Sequence, residues 1–249
     1  MMARKLLFWI LPLALLLAGC GGSTNDNPTD RPDPLVMFIN ASSDTPGVDF
    51  YLNDDLKARN VAYLTTSGGF QEIEFLPTSE GGYDVTAYPT GSTEEFDRQV
   101  QAFDRDTSSL IIAYGLRNFG STPFNRAIQQ ALRIDRTRPV ASKAKIIVFN
   151  GCLRSLGNLP PDLTIQTPGD NPLISIDTIT FGATKELVVD AGTYVWQARR
   201  SDSDPEDFYA QTTASVGAGK IYFGVVSGVQ GTTSSGQAPR ITFFEIPTK

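Results

Sequence analysis

Beyond residue 34 the chain alternates apolar and polar positions in short runs. In Val48–Leu52, the residues Val48, Phe50 and Leu52 alternate with Asp49 and Tyr51. In the segment 71–75, Ile73 and Phe75 alternate with Glu72 and Glu74. In 83–88, Tyr83, Val85 and Ala87 alternate with Asp84, Thr86 and Tyr88. A period of two with one apolar face predicts half-buried strands. Two runs, LIIAY (110–114) and IYFGVV (221–226), are apolar throughout, as central strands are. Turn-forming clusters separate the runs: Asp44-Thr45-Pro46-Gly47, Ser67-Gly68-Gly69, Gly81-Gly82, Thr90-Gly91-Ser92 and Gly217-Ala218-Gly219. Only FNRAIQQALRI (124–134) has a helical flavour, and one or two helical turns are expected there.

The runs recur in order. PLVMFIN (34–40) faces AKIIVFN (144–150), and VDFYLNDD (48–55) faces DLTIQTPGD (162–170). FQEIEF (70–75) faces TKELVV (184–189), and GGYDVTAYPTGS (81–92) faces AGTYVWQARRSD (191–202). SSLIIAYG (108–115) faces AGKIYFGVVSG (218–228), and ALRID (131–135) faces RITFFEI (240–246). Asn40/Asn150, Tyr83/Tyr194 and Phe96/Phe208 hold matched places. A repeat of this length predicts an all-β chain of two tandem Ig-like or Greek-key antiparallel β-sandwich domains. Their expected bounds are 35–138 and 143–249, joined by a linker over 139–142, and each is expected to fold independently.

Composition narrows the chemistry. Among 249 residues there is no histidine, and the formal net charge is −6. Without imidazole, His-type zinc sites and Ser-His-Asp or Cys-His catalysis are excluded. The negative balance argues against nucleic acid as a partner, since that needs clustered Lys and Arg. No G-x-S-x-G elbow, P-loop or G-x-G-x-x-G is present.

The first twenty residues read as a targeting signal: Arg4 and Lys5, then an apolar stretch from Leu6 to Leu17. That stretch is short for crossing a bilayer, which takes about 20 apolar residues. The end, Leu17-Ala18-Gly19-Cys20, resembles the bacterial lipobox. The resemblance implies removal of residues 1–19, diacylation of the Cys20 thiol and acylation of the new amine. Several acyl chains anchor stably where one does not. Gly21, rather than Asp, follows the cysteine. For a Gram-negative host this resembles sorting to the outer membrane. Residues 20–34 are Gly, Ser, Asn, Asp and Pro-rich beyond the cysteine and predict a flexible tether. With Cys20 acylated, Cys152 has no disulfide partner and is expected to be a buried small apolar residue.

At VMFINASSDTPGVDFYLND (36–54) the chain resembles the domain of unknown function 4397, whose opening runs V-x-V-x-H-A-S-P-D-A-P-x-V-D-V-Y-V-D-G. Ala41, Ser42, Asp44, Pro46, Val48, Asp49, Tyr51 and the Asn53-Asp54 turn match it. Asn40 stands where the family has His, Ser43 where it has Pro, and Thr45 where it has Ala. The second copy has Cys152-Leu153-Arg154-Ser155-Leu156 in place of the A-S-P-D-A-P element. The resemblance implies an extracytoplasmic β-sandwich, often lipid-anchored, with no known enzymatic activity.

Candidate binding residues follow. Asn40, Asp44 and Asp49 surround a Pro-Gly turn. They could supply oxygens to a cation, but their spacing fits no calcium-loop signature and suits Asx-turn chemistry. Tyr51 and Tyr88 fall on outward positions, where rings can stack on sugars, anchor a protein contact or stabilise cross-strand pairs. Acidic loops stand at matched places: Glu94, Glu95 and Asp97, then Asp202, Asp204, Glu206 and Asp207. The pair Glu72/Glu74 shares an outward face, without a cleft to suggest glycosidase chemistry. The expectation is a non-catalytic, lipid-anchored outer-membrane protein acting in binding, adhesion or spacing. Its partners would be the membrane, through the lipid on Cys20, and an envelope protein or glycan. It would need no metal or cofactor. The alternative is a polysaccharide-acting enzyme or its carbohydrate-binding accessory.

Overall fold

A computed structural model describes residues 31–95, 97–118, 126–154, 159–169, 172–203, 207–232 and 234–249. Pro32–Lys249 forms one compact unit. Its regular structure is nearly all strand, and the second half repeats the path of the first, with β13 where the first half has two short strands on its starting strand. Cys20, the lipobox and most of the tether lie outside the described residues.

The first half contains β1 (Leu35–Ser42), β2 (Gly47–Leu52), β3 (Asp55–Ala62), β4 (Thr65–Thr66), β5 (Gln71–Glu72), β6 (Tyr83–Pro89), β7 (Asp97–Gln101), β8 (Ser108–Gly115) and β9 (Ile128–Arg133). The second contains β10 (Lys143–Arg154), β11 (Leu163–Gln166), β12 (Ser175–Ile179), β13 (Thr184–Asp190), β14 (Gly192–Arg200), β15 (Phe208–Val216), β16 (Ile221–Gln230) and β17 (Arg240–Ile246). In the first half one sheet runs β4-β1-β8-β9, with β5 also on β1, and the other runs β3-β2-β6-β7. The second half answers with β13-β10-β16-β17 and β12-β11-β14-β15.

The ladders are antiparallel with two exceptions: β1 runs parallel to β8, and β10 to β16. In each half the chain leaves its first sheet, builds all four strands of the second, adds an edge to the first on the way, and re-enters beside the starting strand in the same direction. A parallel pair needs such a long crossover. Asn40 pairs with Ala113 and Asn150 with Val226, so the two parallel ladders share one register.

Three layers of apolar contact fill the unit. Val36, Phe38, Val48, Phe50, Val85 and Ile111 form the core of the first half. Ile146, Val148, Leu163, Ile165 and Trp196 form that of the second. A third core lies between the halves, where Met37, Ile39, Leu110, Ile112 and Tyr114 meet Ile147, Phe149, Ile221, Phe223 and Val225. The sheets carrying β1 and β10 are therefore covered on both faces. That is why LIIAY and IYFGVV are apolar at every position rather than at every second one. The inter-half contacts are reciprocal. Tyr114 of β8 stacks edge-to-face on Phe149 of β10, centroids 4.9 Å apart. At the matched place on β16, Ser227 donates to the Ala41 carbonyl of β1 (2.5 Å) and accepts from Tyr63 (3.3 Å).

Two expectations are corrected. Residues 128–133 are strand β9, paired with β8, and no helix forms among the described residues there. Ala, Gln and Arg favour a helix locally. Here Leu132 and Ile128 pack into the inter-half core, while Gln129 and Ala131 face the first core, so tertiary burial overrides propensity. The QEIEF strand is shortened to Gln71–Glu72, although Ile73 still turns inward and is buried.

Candidate functional site

Asn40 is fully buried on β1. Its Nδ2 donates to the carbonyls of Thr45 (2.9 Å) and Val61 (3.0 Å), and its Oδ1 accepts from the Ser42 amide (2.9 Å). One side chain thus ties β1 to the loop before β2 and to the end of β3. All its polar capacity serves backbone groups that would otherwise be orphaned.

Asp44 holds a different junction. Its Oδ1 accepts from the Arg117 amide (2.8 Å) and the Ser42 hydroxyl (3.2 Å), and its Oδ2 accepts from the Asn118 amide (2.7 Å). It caps the chain leaving β8. Asp49 Oδ1 accepts from the Asn60 amide (2.6 Å) and the Thr90 hydroxyl (2.7 Å). Asn60 has a positive φ of 51° within an irregular stretch of the β2–β3 ladder, and Asp49 fixes that bulge. Asn40, Asp44 and Asp49 therefore lie near one end of the first half but spend their oxygens on three separate backbone junctions. No cluster of carboxylates and cysteines suited to a metal occurs among the described residues.

At this end a groove of about 330 Å³ is lined by Asp44, Pro46, Gly47, Asn60, Thr90 and Arg117. Arg117 also borders a neighbouring depression of about 380 Å³ with Glu94, Glu95 and Arg126. Both are open to water, and the second is the more polar. A third depression, about 480 Å³, is bordered by Asp54, Asp55, Glu72 and Glu74. Asp55 there is 74% exposed and paired with Lys57 at 2.8 Å.

Tyr51 and Tyr88 share the outer face of the sheet β3-β2-β6-β7. Tyr51 pairs with Thr86, which puts Tyr88 at the diagonal position. The rings meet edge-to-face, centroids 5.3 Å apart. Beside them Arg98 of β7 bonds Asp84 (2.9 Å) and Glu95 (3.1 Å). Those carboxylates, with a hydrogen bond to Tyr88, hold the guanidinium's pKa above its ordinary value. Val100, 72% exposed, continues the same face. The result is a half-aromatic, half-polar surface with one fixed cation.

The acidic loops are solvated and locally paired: Glu94 with Arg117, Glu95 with Arg98, and Asp202 with Arg200. Asp97 instead accepts from the buried Gln129 amide at 2.7 Å. Asp204 and Glu206 lie outside the described residues. Cys152 is fully buried, and burial pushes its thiol up to about 12, the condition of an inert structural cysteine. It occupies the place of Ser42: its amide donates to Asn150 Oδ1 (3.0 Å) as the Ser42 amide does to Asn40.

Sequence reasoning missed four structural residues. Gln129 reaches from β9 to the carbonyl of Val85, tying the two sheets of the first half. Arg136, just after β9, bonds the Pro247 carbonyl (2.6 Å) and Ser108 Oγ (3.2 Å) and lies over the Phe70 ring, tying this connecting segment to both halves. Gly115 and Gly228 stand at matched places in the two parallel ladders, opposite Ser42 and Cys152, at φ 93° and 121°, each pressed against a neighbouring backbone that leaves no room for a Cβ. Of these, only the glycines left a signal, since they fall at the same place in the aligned blocks 108–115 and 218–228.

No curated protein matches the chain. The paired asparagines, the capped turn after β1 and the strands that follow lie within one recognisable segment. Residues 34–153, from the start of the first half into β10, match the family model described as a domain of unknown function (DUF4397), and it is this family that the chain resembles.

Proposed function

We propose that this protein is a non-catalytic, lipid-anchored module of the bacterial cell envelope, held by acylated Cys20 at the outer membrane. It binds or spaces other envelope components. The observation that carries the reading is how Asn40, Asp44 and Asp49 are used: each accepts from a backbone amide of the fold's own loops and strands, and so serves the structure around it. Such residues shape a binding module and are poor candidates for acid, base or nucleophile. The lipobox-like Leu17-Ala18-Gly19-Cys20 and the tether after it support the anchor.

The contact surface of this reading is the outer face bearing Tyr51, Tyr88 and Arg98. An edge-to-face pair leaves one ring face open, and an Arg–Asp pair beside it offers directional hydrogen bonds. The same pairing favours, as a second reading, a carbohydrate-binding accessory to a polysaccharide-acting enzyme.

Metabolic labelling with a palmitate analogue, followed by membrane fractionation, tests the anchor. Wild type should label and sediment with membranes, and Cys20→Ser should do neither. Labelling that survives the substitution overturns it. Envelope-glycan arrays probed with the secreted soluble form test the surface: loss of a wild-type signal in Tyr51→Ala and Tyr88→Ala selects the glycan reading.

A further inference from the structure

The segment that leaves β9 and enters β10, residues 133–145, is basic in an acidic chain. It holds Arg133, Arg136, Arg138, Lys143 and Lys145 against one acid, Asp135, while the whole chain carries a formal net charge of −6. Lys143 and Lys145 are paired, with Asp190 (2.8 Å) and Asp135 (2.6 Å). The arginines are not neutralised in that way. Arg133 meets Asp104 only at 3.6 Å, with the two side chains 72% and 77% exposed. Arg136 is held by the Pro247 carbonyl, Ser108 and the Phe70 ring, with no carboxylate among its partners. Arg138 is exposed and makes no hydrogen bond or ion pair among the described residues. Two residues on, Val140 is 68% exposed. Cations beside an exposed apolar side chain suit the boundary between water and an anionic lipid surface.

The segment lies where the chain enters the fold. The Pro32 carbonyl accepts from the Asp106 amide (2.8 Å), Asp106 pairs with Lys249 (2.8 Å), and the Lys249 amide donates to the Arg136 carbonyl (3.1 Å). Cys20 stands twelve residues before Pro32. A flexible chain of that length has an end-to-end distance of about 20 Å. The acids at this end keep to the other side. Glu72 is on β5, which flanks β1 on the edge of the sheet opposite β9, and Glu74 follows it.

We propose that segment 133–145 seats on an anionic phospholipid surface, with Arg133 and Arg138 against lipid phosphates and Val140 at the level of the headgroups. The proposal rests on the anchor at Cys20, which brings the bilayer within reach of this end, and that reach favours lipid over an acidic protein as the occupant. It adds an orientation to the anchor. Acyl chains on a flexible tether leave the folded unit free to turn, whereas a second contact fixes which end faces the lipid. β1 runs from Leu35 at this end to Ser42 at the other, so the groove of Asp44 and Arg117 is presented away from the bilayer.

Vesicle co-sedimentation of the compact unit 32–249 tests the contact apart from the anchor, because this unit lacks Cys20: palmitate labelling reads the anchor and vesicle binding reads the segment. At low salt the unit should bind vesicles of equal parts phosphatidylglycerol and phosphatidylcholine at least about tenfold more tightly than phosphatidylcholine alone, and added salt should weaken that binding. Arg133→Glu with Arg138→Glu should cut it at least about tenfold. Arg59→Glu with Arg240→Glu, which changes the net charge equally at exposed sites elsewhere, should leave it within about twofold. Val140→Trp should shift its emission to shorter wavelength on the anionic vesicles, against a constant signal from the fully buried Trp196. Equal binding to the two kinds of vesicle, an unshifted Val140→Trp emission, or an equal loss in the two double variants would overturn the proposal.

Discussion

Asn40 and Asn150 occupy the same place in the two halves and spend their amides in the same way. Each donates twice from Nδ2 to backbone carbonyls, Thr45 and Val61 in one case and Pro161 and Ile179 in the other. Each accepts from the amide two residues on, that of Ser42 or Cys152. Both are fully buried. The loops they bind differ in length and composition, so the asparagine, rather than the loop, is the fixed part of the repeat.

Replacing Asn40 by Ala leaves two buried carbonyls and one buried amide without that partner. Each such group costs about 1–3 kcal/mol, so a loss of about 3 kcal/mol or more is expected. In a unit of this size that lowers Tm by roughly 6–12 °C. Asn150→Ala should match it, whereas Lys57→Ala, at an exposed ion pair, should change Tm little. Calorimetry on the three variants checks this, and a near-neutral Asn40→Ala would refute the assigned role.

The inter-half core predicts a second set of losses. Phe149 is fully buried between Tyr114 and Phe223, and its truncation to Ala should cost about 3–5 kcal/mol. Gly182 has φ 75°, and a Cβ there would lie 2.6 Å from the Tyr114 hydroxyl, so Gly182→Ala should destabilise by loosening the same contact. Residues 143–249 produced alone would expose Ile147, Phe149, Phe223 and Val225. That fragment should bind a hydrophobic dye and self-associate in sedimentation experiments, whereas the whole unit should not bind the dye.

Much of this was legible in the sequence, and the gaps have physical causes. Alternation identified β2 and β6, with Val48, Phe50, Leu52, Val85 and Ala87 inward as expected, because each strand has one wet face. The order of the repeat was readable because strands keep their apolar pattern while the loops between them vary in length and composition. β3 and β12 were not resolved as separate strands: β3 carries three charges in eight residues and β12 is short. β9 was read as helical because its residues favour a helix and only its neighbours make it a strand. The inter-half core left a trace in the apolar runs, but period alone cannot say what covers the second face. At the candidate site the residue types were legible and their use was not. Whether an aspartate binds a ligand or its own backbone depends on amides from Arg117, Asn118 and Asn60, which are distant in sequence.

Cys152 should behave as a probe of unfolding. Its thiol is pushed up to about 12 by burial and is 0% exposed, so almost no thiolate is present at neutral pH. In Cys20→Ser protein, reaction with a thiol reagent should be negligible in buffer and become rapid across the urea unfolding transition. Rapid labelling below that transition would mean that β10 opens locally at its end.

Asp135 and Lys145 give the fold a predictable acid response. The Lys145 ammonium, almost buried, lies 2.6 Å from the Asp135 carboxylate in the segment after β9. That bond, then those from Thr137, hold the carboxyl well below its ordinary range. A carboxyl that releases its proton more readily in the native state stabilises the fold above its unfolded value and loses that contribution as pH falls through the native one. Asp135 is 62% exposed, and water screens the pair, so its worth is on the order of 1 kcal/mol. Asp135→Asn should therefore be less stable than wild type at pH 7. The gap should narrow as pH drops below about 4, where the unfolded aspartate takes up its proton. Urea midpoints of the two proteins across pH 2.5–7 measure that gap. A constant difference over the whole range would show that the residue acts through packing and not through its charge.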